Sequence, residues 1–362
     1  MTSTQPNRLL HVIGEMGYGG AELLVRDLSI QMQRSAGEVG VAVIGRCDEG
    51  LVRQLENAGV TVFRLNASLT SPSVIPAINR IVRAHGYDWV HAHLFPALYV
   101  CALASIIAPR NVRWFYTEHS TKNSRRARQW LRPIERFMYG RYDRIAGVSA
   151  AAMESLSAWI PGLDGQVIEN GIDLARFRDA KPVPRNSLDI GVGQRVVLMA
   201  GAFRPEKNHA TMVRALSKLP SDYVLVLAGD GAERAVVTNL AKELHLEQRV
   251  RFLGVVRDIE SLMRMADVYV LPSLFEGFGL SALEAVAAGV PVVYADVAGL
   301  ADMLDGAGWP VDPLDPQAIA DAVLQADSAG ESAPQVVHGL RVAERYSLET
   351  TSRKHREFYL SL

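Results

Sequence analysis

The sequence predicts an α/β protein built from two facing doubly wound Rossmann-like domains with a cleft between them. Three observations predict it. At 362 residues the chain is too long for one ordinary domain and fits two. Short β-branched runs alternate with helix-length segments throughout, the pattern of parallel sheets covered on both faces. The stretch "DAKPVPRNSLDIGVG", ending at Gly193, carries prolines and glycines and no periodicity, and it separates two such halves. The domains are therefore placed at 1–177 and 194–346, with a linker at 178–193. A last helix, 347–362, is capped by Ser347.

The strand runs of the first half are "LLHVIG", "VGVAVIG", "VTVFRL", "DWVHAH", "RWFYTEH", "RIAGVS" and "QVIEN". Those of the second half are "RVVLMAG", "YVLVLAG", "VRFLG", "DVYVLPS" and "VPVVYA". Apolar residues make up 49% of the chain, enough for sizeable cores, and the formal net charge of -1 gives no global bias toward nucleic acid. Two cysteines, Cys47 and Cys101, form no CxxC pair, which argues against a disulfide scaffold or a zinc site and fits a reducing compartment. The opening "MTSTQPNRLL" lacks the apolar core of a signal peptide. The apolar run "ALYVCALASIIA" is shorter than the roughly 20 residues of a spanning helix and reads as a buried one. The expectation is a cytoplasmic protein, at most peripheral on the inner face of a membrane.

Ligands of doubly wound sheets bind at the carboxyl ends of the strands, so the loops there carry the chemistry. The first, "HVIGEMGYGGAELL", resembles a phosphate-binding turn. Its best dinucleotide register, Gly17-Tyr-Gly19-Gly20-Ala-Glu22, puts glutamate where the third glycine belongs, and Arg46 rather than an acid follows the second strand. A tight turn explains Gly14. Gly19 and Gly20 leave bare backbone at a helix start, which can approach an anion or a sugar closely.

The second half carries more. In "LFEGFGLSALEAVAAGVPVV", Glu276 lies in a loop after a strand, Gly277 and Gly279 leave the backbone open, and a helix starting near Leu280 carries Glu284. Helix-start amides offer a seat for a diphosphate, and the two carboxylates can accept from ribose and sugar hydroxyls. The loop "AFRPEKNH" supplies Arg204 and Lys207 as a clamp for the leaving diphosphate. An exposed charged loop would explain either cation alone.

With these motifs the chain resembles a retaining GT-B glycosyltransferase, in the family-4-like group of bacterial cell-surface glycan and lipid-linked sugar transferases. The resemblance rests on "GGAE", "TEH", "GVS", "VIENGID", "PEKN", "AGDG", "RFLG", "ADVYVLPS" and "EGFGLSALEA", in the family's order across nearly the whole chain. It implies that Glu284 binds the ribose and Glu276 the hydroxyls of the donor sugar. The amides of Phe278, Gly279 and Leu280 would sit near the diphosphate or sugar, and Arg204 and Lys207 would neutralise the phosphates. Val256 would line the base, Gly19 and Gly20 would approach the donor phosphate, and His119 would face the reacting sugar. One departure stands out: relatives often carry arginine where this chain has Ala202, and Arg204 is the substitute on offer. The last helix would cross back onto the first domain. The implied reaction takes a UDP-sugar, or a GDP-sugar, to a glycan or lipid-linked acceptor, without a metal or other cofactor. Runner-up readings are a small-molecule glycosyltransferase, a phosphorylase or epimerase on the same scaffold, and a non-catalytic sugar-nucleotide-binding subunit.

Two further features stand beside this. His91 and His93 flank Ala92 at a strand end and are expected on opposite faces, His93 toward the sugar and His91 in the core. The basic stretch 122–144 interleaves Trp130, Leu131, Ile134, Phe137 and Met138 with Arg126, Arg128, Arg132 and Arg136. It reads either as an amphipathic helix on an anionic membrane or acceptor, or as a surface helix packed on the first sheet.

Overall fold

Every one of these strand runs forms a strand, and the central ones are buried because helices cover both faces of their sheet, while the edge runs at Thr61–Arg64 and Gln166–Val167 stay largely exposed. The computed structural model describes residues 8–361. The opening residues 1–7, read above as no signal peptide, lie outside the described residues. Two compact units result: one runs to Gly171 and takes up again at Leu348, and the other is Ile172–Ser347.

The first unit alternates β1 (Leu9–Ile13), α1 (Gly20–Ala36), β2 (Val39–Val43), α2 (Glu49–Asn57), β3 (Thr61–Arg64), α3 (Val74–His85), β4 (Trp89–His93) and α4 (Ala97–Ile107). It continues through β5 (Arg113–Glu118), α5 (Arg132–Tyr139), β6 (Arg144–Gly147), α6 (Ala150–Trp159) and β7 (Gln166–Val167). The sheet order is β3-β2-β1-β4-β5-β6-β7, all parallel. Side chains at the helix starts set several boundaries. Asp48 accepts from the amides of Gly50 and Leu51 before α2, and Ser149 from that of Ala152 before α6.

The second unit runs α7 (Leu174–Arg178), β8 (Arg195–Ala200), α8 (His209–Leu216), β9 (Tyr223–Ala228), α9 (Arg234–Glu243), β10 (Val250–Gly254), α10 (Ile259–Met265) and β11 (Val268–Leu271). It ends with α11 (Leu280–Ala287), β12 (Val292–Ala295), β13 (Trp309–Val311), α12 (Pro316–Ala329) and α13 (Pro334–Arg345). Its parallel sheet has the order β10-β9-β8-β11-β12-β13. Strand β13 is the one the sequence reading missed. It is three residues long with Pro310 at its centre, and proline is tolerated there because β13 is an edge.

The final helix, α14 (Leu348–Leu360), belongs to the first unit: Phe358 and Tyr359 pack with Val25, Leu28 and Phe115. The boundary differs from the expected one. It falls between Gly171 and Ile172, and residues 178–193 are part of the second unit rather than a free linker. The prolines do keep this stretch irregular, but arginines tie it down. Arg185 donates to Met265 O and Asp267, and Arg251 donates to the carbonyls of Leu188 and Asp189.

In each sheet the winding direction reverses beside the first strand of its unit, between β1 and β4 and between β8 and β11. Crevices for ligands open at such switch points.

Candidate active site

At the switch point of the second unit, two loops leave the sheet side by side, 201–208 after β8 and 272–279 after β11. Asn208 fastens them. It sits in a left-handed conformation (φ 61°), and its Nδ2 donates to Pro272 O at 3.1 Å and Pro313 O at 2.7 Å. The amide of Leu274 donates to Glu206 O at 2.8 Å. Lys207 is thereby delivered to the other loop, with Nζ 2.6 Å from Glu276 Oε1. The same oxygen accepts from Ser273 Oγ at 2.7 Å. Glu276 is only 8% exposed, so this carboxylate is held by both a cation and a hydroxyl.

Gly279 then turns the chain into α11 with φ +83°, and a Cβ there would run into Leu300. Gly299 lies so close beneath that its own Cβ would stand 2.7 Å from Glu276 O. Phe278 is buried edge-on against Tyr346, centroids 5.3 Å apart, so its side chain packs while its amide stays with the loop. Leu280 opens α11, and Glu284 lies half-buried farther along it. Tyr269 sits fully buried below, its hydroxyl donating to Ala200 O at 3.2 Å. Burial, with the charges of Glu284 and Glu276 in addition, raises its pKa, so it stays a neutral donor. The structure thus brings Lys207, Glu276, Gly279 and Glu284 to one end of one sheet. Arg204 stands apart: its side chain is 69% exposed and its guanidinium is 3.9 Å from Glu206. Val256 is half-buried in the turn after β10, beside the exposed Val255.

At the switch point of the first unit, Gly19 is the residue before α1 and Gly20 its first residue. Gly19 has a physical reason of its own. Glu22 folds back over the helix start, and a Cβ on Gly19 would collide with its carboxylate. The acidic residue that broke the dinucleotide pattern therefore lies against the helix-start glycine.

The histidines correct the expected placement. His91 and His93 lie on the same face of β4, ring centroids 4.0 Å apart, because side chains two apart on a strand share a face. Both are buried. Parallel pairing sets His11 of β1 opposite His91, and His11 joins them. His11 Nδ1 lies 2.9 Å from His93 Nε2, and His93 Nδ1 lies 3.2 Å from His119 Nε2. His91 is engaged at both nitrogens, by Tyr359 OH at 2.7 Å and Thr117 Oγ1 at 2.8 Å. His355 of α14 lies 5.4 Å from His91, centroid to centroid. Burial lowers His11 and His355 to about 3 and His119 to about 4, and it takes His91 and His93 well below the usual range. These rings are neutral near pH 7. His11, His91 and His93 offer nitrogens within 4.8 Å of one another, a spacing that could converge on a metal ion. Both nitrogens of His91 and both of His93 are already engaged, so an ion there would have to displace one hydrogen bond of each. The sequence reading missed His11 because only strand pairing makes it a neighbour of His93. Ser273, Asn208 and Tyr269 were missed in the same way.

The basic stretch is not one helix. It forms two 3-10 turns, Ser124–Ala127 and Gln129–Leu131, followed by α5, with Pro133 inside the first turn of α5. Two of its cations point inward. Arg126 pairs with the buried Glu118 at 2.6 Å. Arg125 pairs at 2.7 Å with the buried Glu135, which also accepts from Tyr99 and Trp159. Trp130, Ile134 and Phe137 are turned out, 65%, 41% and 53% exposed, next to exposed Arg128 and Arg136.

Comparisons with known proteins bear on the family and the fold. Residues 18–176 match the family model "Glycosyltransferase Family 4", and residues 181–336 match "Glycosyl transferases group 1". A D-inositol 3-phosphate glycosyltransferase of Corynebacterium urealyticum is 31% identical over 321 residues, 77% of this chain and 73% of that protein. A glycogen synthase of Mycobacterium tuberculosis is 29% identical over 286 residues, 75% of this chain. The match spans 61% of the synthase's own length. The crystal structure of Anabaena HepE in complex with UDP and glucose is similar with a TM-score of 0.85 at 25% identity, covering 98% of this chain and 100% of that one.

Proposed function

Since the chain belongs to the family-4 glycosyltransferases of the GT-B fold, we propose that it moves a sugar from a nucleoside diphosphate sugar to an acceptor hydroxyl with retained anomeric configuration. The observation that carries this is the Lys207–Glu276–Ser273 cluster beside the start of α11. Lys207 has three N–H donors and gives one to Glu276. The others serve the diphosphate, together with the amides of Phe278, Gly279 and Leu280 and the free-reaching Arg204. This cationic set supplies the positive charge in place of a divalent metal. Glu276, steadied on one oxygen by Ser273 and Lys207, accepts from the donor sugar's hydroxyls. Glu284 accepts from the ribose, and Val256 lines the base. Gly19 and Gly20 offer backbone to the phosphate once Glu22 yields. His119 addresses the hydroxyls of the reacting sugars, with His93 behind it.

In the reaction the bond from the sugar's anomeric carbon to the phosphate oxygen breaks, and its electron pair leaves with the nucleoside diphosphate. The acceptor oxygen bonds to the same carbon from the same face, and its proton passes to the departing phosphate. The chain's contribution is positioning and charge stabilisation. UDP is the first choice of nucleotide, since Anabaena HepE was crystallised with UDP and glucose, and GDP the second. The acceptor is a surface glycan or a lipid-linked sugar. The outward Trp130, Ile134 and Phe137 among arginines support a peripheral seat on an anionic membrane. No helix among the described residues is long and apolar enough to cross a membrane.

The test is proton NMR of purified protein with UDP-glucose and a panel of acceptors. An α-linked product supports the proposal. A β-linked product overturns retention, and binding without any turnover favours a sugar-nucleotide-binding subunit.

A further inference from the structure

We propose that His11 is a positioning residue. Acting through His93, it fixes the tautomer of His119, so that His119 presents a neutral Nδ1–H donor to a hydroxyl oxygen of the reacting sugars. What His119 touches rests on the function proposed above; how it is held rests on the rings themselves.

Three imidazoles stand in line from the centre of the first sheet to the end of β5, with contacts of 2.9 Å and 3.2 Å. A neutral imidazole carries one N–H and one lone pair, so a chain of three can be oriented in only two ways. In the inward orientation His119 donates from Nε2 to His93, and His93 donates from Nε2 to His11. The last N–H, at His11 Nε2, then points into the core. That atom is buried and has no hydrogen-bond partner among the described residues. In the outward orientation His11 donates from Nδ1 to His93 Nε2, and His93 donates from Nδ1 to His119 Nε2. Only a bare lone pair remains at His11 Nε2.

A buried N–H without an acceptor is rarer in folded proteins than an under-used acceptor, and the outward orientation leaves none. The neighbours add no competing charge. His91 is occupied by Tyr359 and Thr117, and His355 stands behind His91 rather than against His11 Nε2 as a bonded partner. Burial keeps His11 and His119 unprotonated near pH 7, which removes the doubly protonated alternative.

Two consequences follow. The row of rings ends at His11, so it cannot carry a proton onward: it is a lock and not a relay. His119 also has its lone pair occupied by His93, so it acts as a hydrogen-bond donor and not as a general base.

The experiment is two-bond proton–nitrogen correlation NMR of the histidine rings in the full-length chain at pH 7.5. The expected spectrum shows the proton on Nδ1 of His11, His93 and His119. A proton on Nε2 of His119 overturns the proposal. His11→Phe should scramble the His119 tautomer and lower kcat about tenfold, the size of one lost hydrogen bond, with the donor KM unchanged. His11→Asn places an amide donor near the Nδ1 position and should restore both readouts. An unchanged His119 tautomer in His11→Phe overturns the proposal. If His11→Phe does not fold, the wild-type and His11→Asn spectra decide alone. The spectra need no turnover. Predicted tautomers in a protein without transferase activity would leave the lock standing and remove the proposed function.

Discussion

Lys207 and Arg204 sit in one loop, yet their surroundings assign them different consequences. Lys207 reaches into the fold and holds a carboxylate that is 8% exposed. Lys207→Ala removes the ammonium that stands 2.6 Å from Glu276 Oε1. It should lower stability by about 1–3 kcal/mol and transfer by about 100-fold or more, as read by urea unfolding and steady-state kinetics. Arg204 reaches into solvent. Arg204→Ala should leave stability within about 0.5 kcal/mol while weakening UDP binding about tenfold or more in calorimetry. Equal losses of stability in both variants would contradict this division. At this scale the sequence showed residue types and loop positions well: the two glutamates, the lysine and the glycine before α11 all follow strand ends. It did not show which cation turns inward, because that depends on Asn208 fastening one loop to the carbonyl of Pro272 on the other. Nor did it show the histidine row, whose members come from β1, β4 and the end of β5 and meet only through parallel pairing.

At the scale of elements, α11 is the piece whose start must be right. Its geometry depends on Gly279 in a left-handed conformation, with Leu300 filling the space a side chain would need. Gly279→Ala should destabilise by about 2 kcal/mol or more, from backbone strain of about 1–2 kcal/mol plus the collision, and should weaken UDP binding with it. A fully stable Gly279→Ala that still binds UDP would remove the helix start from the site. The basic stretch shows where pattern reading reaches its limit. Its composition fits an amphipathic helix, but Pro133 and the inward pairs of Arg125 and Arg126 break it into turns and a short α5. What survives is a surface of Trp130, Ile134 and Phe137 flanked by arginines. Co-sedimentation should find the protein on vesicles containing anionic lipid and not on neutral ones, and the double variant Trp130→Glu, Phe137→Glu should release it. Binding that is indifferent to both lipid charge and these substitutions would rule this surface out.

Across the whole molecule, both sheets and every strand but β13 were legible: the central strands, covered on both faces, read as unbroken apolar runs, and the more exposed β3 and β7 showed as short β-branched runs. The boundary was not, since irregular sequence at 178–193 does not reveal that arginines pin it to the second unit. The buried histidines give the molecule a pH signature. His11 and His355 are lowered to about 3 and His119 and His209 to about 4, against about 6.5 in an unfolded chain. Between these values the unfolded state binds more protons, so stability is full above about pH 7 and falls as pH drops through 6.5 toward 4. The slope approaches about 1.4 kcal/mol per pH unit for each such histidine. Urea midpoints at pH 7.5, 6.5 and 5.5 should decline in that order; a constant midpoint would place these rings in water. The central claim is that the second unit's switch point seats a nucleoside diphosphate. The most direct test is the thermal midpoint with UDP, GDP and NAD, each at about 100 times a plausible dissociation constant, where binding adds roughly 2.7 kcal/mol. The account predicts a rise with UDP, or with GDP in its place, that Glu284→Ala abolishes. A rise with NAD alone, or one that Glu284→Ala leaves intact, would contradict it.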